Sequence, residues 1–146
     1  MAMRQRGFTL LEIIIVLVIA AAAMSIVLSF SVRGSAADLK ASARSLASGL
    51  RAAQSTAMAT RRDALLTLDV DAGEFVFTGG SRTQKLPDGI EYKLFTAQTE
   101  VESEKRGSIR FYPDGSSTGG RITVASGERK YLVDVDWLTG RVSIGE

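Results

Sequence analysis

The sequence predicts an α+β fold: one long N-terminal helix packed on an antiparallel β domain. Three observations along the 146-residue chain point to it. No proline occurs before Pro87, and the first 62 residues are rich in the apolar and small residues that sustain a helix. From Asp63 onward apolar and polar residues alternate with the period of a strand. The change happens once, so helix and sheet are segregated along the chain rather than interleaved.

The first element is the most apolar. Phe8 to Val32 reads FTLLEIIIVLVIAAAAMSIVLSFSV, with 20 of 25 positions apolar and Glu12 the single charge. As a helix it would extend ~37 Å, more than a hydrocarbon core of ~30 Å. A buried core helix of this kind would need surrounding layers that a chain of this size does not supply. A secretory signal has a shorter apolar stretch followed by a small-residue cleavage site, whereas here the small residue, Gly7, precedes the run. Residues 8–32 are therefore expected to be a transmembrane helix. Charge does not orient it: Arg4 and Arg6 precede the span, while Arg33, Lys40, Arg44 and Arg51 follow it, and long domains translocate largely regardless of charge.

Residues 33–62 are expected to continue the helix in amphipathic form. Leu39, Ala43, Leu46, Leu50, Ala53 and Ala57 recur in steps of four and three and draw one apolar stripe. Half of that stripe is alanine, which suits docking on a sheet better than a coiled coil. Gly34 and Gly49 each weaken the helix by up to ~1 kcal/mol relative to alanine. Arg33, Lys40, Arg44 and Arg51 lie on a separate face, about 120° from the stripe. No aromatics interleave with these bases, so a solvated or subunit-facing surface is expected rather than a phosphate-binding one.

The third part, residues 63–146, is expected to be a β-rich domain. Its predicted strands are Ala64–Val70, Glu74–Thr78, Ile90–Phe95, Ser108–Tyr112, Arg121–Ala125, Tyr131–Asp136 and Arg141–Ile144. Asp71-Ala72-Gly73 and Leu138-Thr139-Gly140 read as hairpin connections. Both prolines stand in Pro-Asp-Gly, at 87–89 and 113–115, which reads as a turn.

The composition removes much chemistry. With no His and no Cys, Ser-His catalysis, thiol nucleophiles and the usual zinc ligand sets are excluded. Asp69-x-Asp71-x-Gly73 has part of a calcium-loop spacing, but Gly80 stands where a bidentate Glu would be needed, so a hairpin turn is expected. The stretch Asp114 to Gly120 is Gly-rich yet lacks a Walker lysine and joins strands, so it is expected to be a flexible loop. Asp134 and Asp136 fit solvent-facing alternation. Glu100, Glu102 and Glu104 fit a solvated loop or edge strand. No catalytic, cofactor-binding or metal-ligating residue is assigned.

Glu12 is the residue that needs a reason, since a carboxylate inside a spanning helix costs on the order of 2–3 kcal/mol. Arg6-Gly7-Phe8-Thr9-Leu10-Leu11-Glu12, followed by the apolar run, resembles the prepilin leader of type IV pilins and type II secretion pseudopilins. The resemblance implies that residues 1–7 are a cytoplasmic leader, that a prepilin peptidase cuts between Gly7 and Phe8, and that Phe8 is N-methylated. It also implies an assembly role for Glu12. Pairing with the Phe8 amine of a neighbouring subunit would relieve both charges and fix the axial register of packed helices.

The rest of the chain carries a narrower resemblance. Leu86-Pro87-Asp88-Gly89-Ile90, the stretch Phe111 to Gly120, and Trp137-Leu138-Thr139-Gly140-Arg141-Val142 look like the GspH/FimT pilin-like family. Its type II secretion members are minor pseudopilins. The resemblance implies a single-pass inner-membrane protein with a periplasmic head and a place near the pseudopilus tip. There it would link the other minor pseudopilins of the tip complex to the major pseudopilin shaft during export of folded proteins. The alternative is a FimT-like minor pilin of a type IV pilus, acting in pilus assembly or DNA uptake. Residues 63–146 carry 10 Lys+Arg against 14 Asp+Glu, a net of −4, which disfavours nucleic acid as a partner. The overall +2 thus conceals a basic helical half, net +6 over residues 1–62, and an acidic head.

Overall fold

The computed structural model describes residues 9–31, 36–103 and 105–146, with side chains described from residue 9 to 22 in the first of these stretches. The chain divides into two units, Met1–Arg33 and Gly34–Glu146.

The first unit contains helix α1, Leu10–Ser31. Thr9 begins it: its carbonyl accepts the N–H of Glu12 at 3.1 Å and of Ile13 at 3.3 Å, and its Oγ1 also lies 3.3 Å from the Glu12 nitrogen. A threonine oxygen here takes up a backbone donor that the first helical turn leaves unpaired. The expected cleavage residues Gly7 and Phe8 lie outside the described residues, as do residues 32–35, where the continuous helix was expected.

The second unit is a helix laid on two antiparallel sheets. Helix α2, Ala36–Thr60, buries Leu39, Ala43, Leu46, Leu50, Ala53 and Ala57, the stripe predicted from spacing, together with Ser42, Ala47 and Gly49. The helix ends where Arg61 turns to φ 54°. Nine strands follow among the described residues: β1 Ala64–Asp69, β2 Glu74–Phe77, β3 Gln84–Lys85, β4 Glu91–Thr96, β5 Val101–Ser103, β6 Arg106–Phe111, β7 Gly120–Ser126, β8 Arg129–Val135 and β9 Val142–Gly145. A short 3-10 helix, Gln98–Glu100, precedes β5.

One sheet has the order β3-β2-β1-β6-β5 and the other β4-β7-β8-β9, with every pair antiparallel. The first supplies Leu66, Leu68, Phe75, Ile109 and Phe111 to the core, and the second Ile122, Val124, Val133, Val135 and Val142. In β1, β7 and β8 these alternate with half-buried positions, as one-sided packing of a sheet requires. Each predicted strand coincides with an observed one to within two residues. Strands β3 and β5 were not predicted: two or three residues are too few to show a period.

Gly49 explains itself in this packing. A Cβ there would stand 2.6 Å from the Phe75 ring and 3.0 Å from a Leu66 methyl. The glycine lets α2 approach the first sheet more closely than alanine would allow.

Candidate assembly surfaces

Glu12 occupies the third position of α1, in its first turn, and is exposed. Thr9-Leu10-Leu11-Glu12 therefore has the spacing of a capping box, a local signal already present in the sequence. Glu12 also places negative charge at the positive end of the helix. Around it the apolar side chains are uncovered among the described residues: Leu10 is 79% exposed, and Ile13 through Ile19 are all exposed. A helix apolar on every side requires a lipid or protein environment. Among the described residues no helix is long and apolar enough to cross a membrane; the part of α1 with described side chains, Leu10 to Ala22, rises only about 20 Å.

In the head, several expected solvated groups prove to be structural. Of the glutamates expected on a solvated loop or edge strand, Glu102 does lie exposed on the edge strand β5, but Glu100, just before it, is only 7% exposed. Arg110 Nε donates to Oε1 at 2.8 Å and Nη2 to Oε2 at 3.3 Å, and Nη1 lies 3.5 Å from Asp63. These carboxylates, Glu100 first through its hydrogen bond, raise the Arg110 pKa. Glu102 pairs with Arg106, while Glu104 lies outside the described residues. The correction has a physical cause: β5 folds back on β6 and carries Glu100 under the guanidinium.

The Gly-rich stretch is likewise held, not flexible. Thr118 N–H donates to the Arg110 carbonyl, and Arg110 N–H returns to Thr118 Oγ1. Ser117 N–H donates to the Trp137 carbonyl at 2.8 Å, and Ser117 Oγ donates to that of Asp136 at 3.0 Å. Gln54 of α2 joins both loops, donating from Nε2 to Gly115 O at 2.9 Å and Thr139 O at 3.2 Å. Gly140, at φ 63°, has no room for a side chain, since a Cβ would meet the Gly115 carbonyl at 2.1 Å.

Asp69 accepts the Ala72 N–H within its own hairpin, whereas Asp71 pairs with Lys105 in the connection between β5 and β6, so both carboxylates of the partial calcium spacing have structural partners. Asp134 pairs with Arg121 across the strands. Asp136 does more than alternate: its Oδ1 accepts the N–H groups of Leu138 and Thr139 and the Thr139 hydroxyl. Those bonds, chiefly from Thr139, lower its pKa. On the basic helix face Lys40 and Arg44 are exposed, but Arg51 Nη2 donates to the Val142 carbonyl at 3.1 Å and binds α2 to β9; Arg33 lies outside the described residues.

Among the described residues, uncovered apolar side chains gather along α1 and at the β8–β9 turn, where Trp137 is 65% and Leu138 63% exposed, and Phe95 of β4 is also exposed. A groove of about 380 Å³ between β4 and the β5–β6 hairpin is lined by Leu94, Val101, Lys105 and Arg106, but its cations are already paired. These surfaces suit association with other chains and present no reacting group.

An apolar leading helix followed by a helix-on-two-sheets head defines a pilin-like α+β protein. Among solved structures the fold is similar to the minor pseudopilin EpsH of the Vibrio cholerae type 2 secretion system, with TM-score 0.59 and 14% identity over 73% of this chain and 95% of that one. It is also similar to the Pseudomonas aeruginosa type IV minor pilin FimU, with TM-score 0.57 and 15% identity over 74% and 88%. Residues 42–140 match the family described as Type II transport protein GspH, and residues 2–28 match the prokaryotic N-terminal methylation motif. A type II secretion system protein H from Xanthomonas campestris pv. campestris is 34% identical over 144 residues, 96% of this chain and 83% of that protein. The chain belongs to the GspH family of type II secretion proteins.

Proposed function

We propose that this protein is a minor pseudopilin: a structural, non-enzymatic subunit near the pseudopilus tip that links the tip complex to the major pseudopilin shaft. The observation that carries the reading is the 34% identity to a type II secretion protein H along 96% of the chain, which favours secretion over the type IV pilus alternative. The acidic head, net −4 over residues 63–146, also argues against a DNA-uptake role.

In this reading a prepilin peptidase removes residues 1–7 between Gly7 and Phe8 and N-methylates Phe8. Residues 8–32 anchor the chain once through the inner membrane, with the N-terminus cytoplasmic and the head periplasmic. Exposed Leu10 to Ile19 support this because they need an apolar environment. Glu12 pairs with the amine of a neighbouring subunit's Phe8 and sets the register of packed helices.

Deletion of the gene tests the function. A folded exoprotein should accumulate in the periplasm, and the intact gene should restore its release. Normal export combined with lost DNA uptake would instead select the pilus reading.

A further inference from the structure

The chain's single tryptophan stands in water on a rigid turn. Trp137 and Leu138 sit where the Asp136 carboxylate takes two backbone N–H groups, the Trp137 carbonyl takes Ser117 N–H, and Gly140 N–H bonds back to the Asp136 carbonyl. The turn is thus fixed with both large side chains facing outward. Met58 of α2, 54% exposed, adjoins the same loop pair, since a Cβ on Gly115 would lie 3.5 Å from its sulfur. Arg61 and Arg62 follow Met58, are exposed, and make no ion pair among the described residues. The nearby carboxylates are engaged otherwise: Asp63 with Arg110, Asp114 with Ser116, Asp136 within its turn.

Exposed Met58, Trp137 and Leu138 are therefore gathered around the loop pair that Gln54 joins, and Arg61 and Arg62 lie three and four residues beyond Met58 with no ion pair among the described residues. Preorganised aromatic anchors with an arginine margin are the usual energetic centre of a protein interface. Position adds direction. Met58 lies about 33 Å along α2 from Ala36, near the C-terminal end of that helix.

We propose that Met58, Trp137 and Leu138, flanked by Arg61 and Arg62, form the docking surface for the head of a different pseudopilin, one presenting an apolar pocket with a carboxylate rim. The inference rests on the pseudopilin reading above and assigns the contact to the end of the head where α2 terminates. The partner's chemistry follows from charge complementarity: the two arginines make no ion pair among the described residues.

The test uses the full chain in cells that carry the complete secretion system, each other pseudopilin in turn bearing an epitope tag. A photocrosslinking amino acid replaces Leu138, and in a control Lys40. The Leu138 probe should yield an adduct with one tagged pseudopilin, absent from the control. Arg61→Glu/Arg62→Glu should reduce that adduct by about tenfold or more. Trp137→Ala should lower exoprotein release while its accumulation and thermal melt stay near wild type; Leu138→Ser provides the same reading if Trp137→Ala does not accumulate.

No adduct with any tagged pseudopilin, an adduct only with a second copy of this chain, or full release by a well-folded Leu138→Ser variant would each overturn the inference. Should gene deletion leave export intact, the pseudopilin reading itself fails. Should deletion block export while the surface variants secrete and crosslink nothing, only the docking surface fails.

Discussion

Arg110 holds Glu100 with two nitrogens, Nε to Oε1 at 2.8 Å and Nη2 to Oε2 at 3.3 Å, and so ties the turn before β5 to the C-terminal end of β6. The carboxylate is nearly buried while the guanidinium side chain is 31% exposed. Two-point geometry makes the pair stronger than a surface ion pair, and partial exposure of the arginine limits the penalty when its partner is removed. Glu100→Ala should destabilise the protein by about 2 kcal/mol, below the range for a fully buried pair. Glu100→Leu combined with Arg110→Met should recover most of that loss, because no buried charge then remains unpaired and the exposed Asp63 loses only a 3.5 Å contact. Urea unfolding of the detergent-solubilised protein measures both. Equal losses in the single and double variants would show that shape, not charge pairing, holds this corner.

Gly49 sets helix propensity against packing. Alanine would favour an isolated helix by up to about 1 kcal/mol. Its methyl group would meet the Phe75 ring at 2.6 Å and Leu66 at 3.0 Å, in the centre of the core. Overpacking costs typically about 1–3 kcal/mol, so the variant should be less stable than wild type despite the better helix former. Trimming the ring with Phe75→Leu should offset part of the loss in the double variant, and comparison of unfolding midpoints checks the coupling.

What was legible in the sequence was what repeats locally. The stripe of α2 is an unbroken series of four- and three-residue steps, and all six of its residues are buried. The seven longer strands show alternation, and the leader motif is contiguous. What was missed depends on contacts distant in sequence or on elements too short to repeat. Glu100 looked solvated because glutamates alternate at 100, 102 and 104, and only the return of β6 ten residues later supplies Arg110. The stretch from Asp114 to Gly120 looked flexible because its anchors are Gln54 on α2 and the 136–140 turn. The Thr9–Glu12 spacing was readable but was absorbed into the leader motif. Nothing local distinguished Trp137 and Leu138 as outward-facing; the hydrogen bonds that hold their turn open include one from the Ser117 backbone.

Arg61 ends α2 in the left-handed region, at φ 54°. A side chain there costs roughly 1–2 kcal/mol relative to a right-handed conformation, a penalty that glycine avoids. Arg61→Gly should therefore stabilise the fold by about 1 kcal/mol. If the arginine is retained for docking, the same variant should weaken the contact of the head with its partner. A higher unfolding midpoint together with reduced exoprotein release is the expected result.

Glu12→Leu removes the one charge of the apolar segment. It should improve membrane insertion, if anything, because the carboxylate costs on the order of 2–3 kcal/mol within a spanning helix. The expected loss is in assembly, as the amine created at Phe8 would have no counter-charge. Membrane fractionation should find the variant in the inner membrane at normal levels, while its recovery in sheared pseudopili falls. Undiminished incorporation would remove the proposed charge pairing.

The β8–β9 turn should loosen in acid. The Asp136 carboxylate accepts the Thr139 and Leu138 N–H groups and the Thr139 hydroxyl, and its folded pKa lies below the ordinary value of 3.8. For a depressed carboxylate, the stabilisation is complete above the unfolded pKa and is lost as pH falls through the folded one. The turn should thus hold at neutral pH and open only below about pH 4. Trp137 is the chain's only tryptophan and lies in that turn, so its fluorescence reports the opening directly. Asp136→Asn keeps an oxygen acceptor but removes the charge, and should flatten the acid limb of the emission curve. An unchanged acid limb in that variant would assign the transition to another carboxylate, with Asp114, also depressed by its bonds to Ser116, next in line.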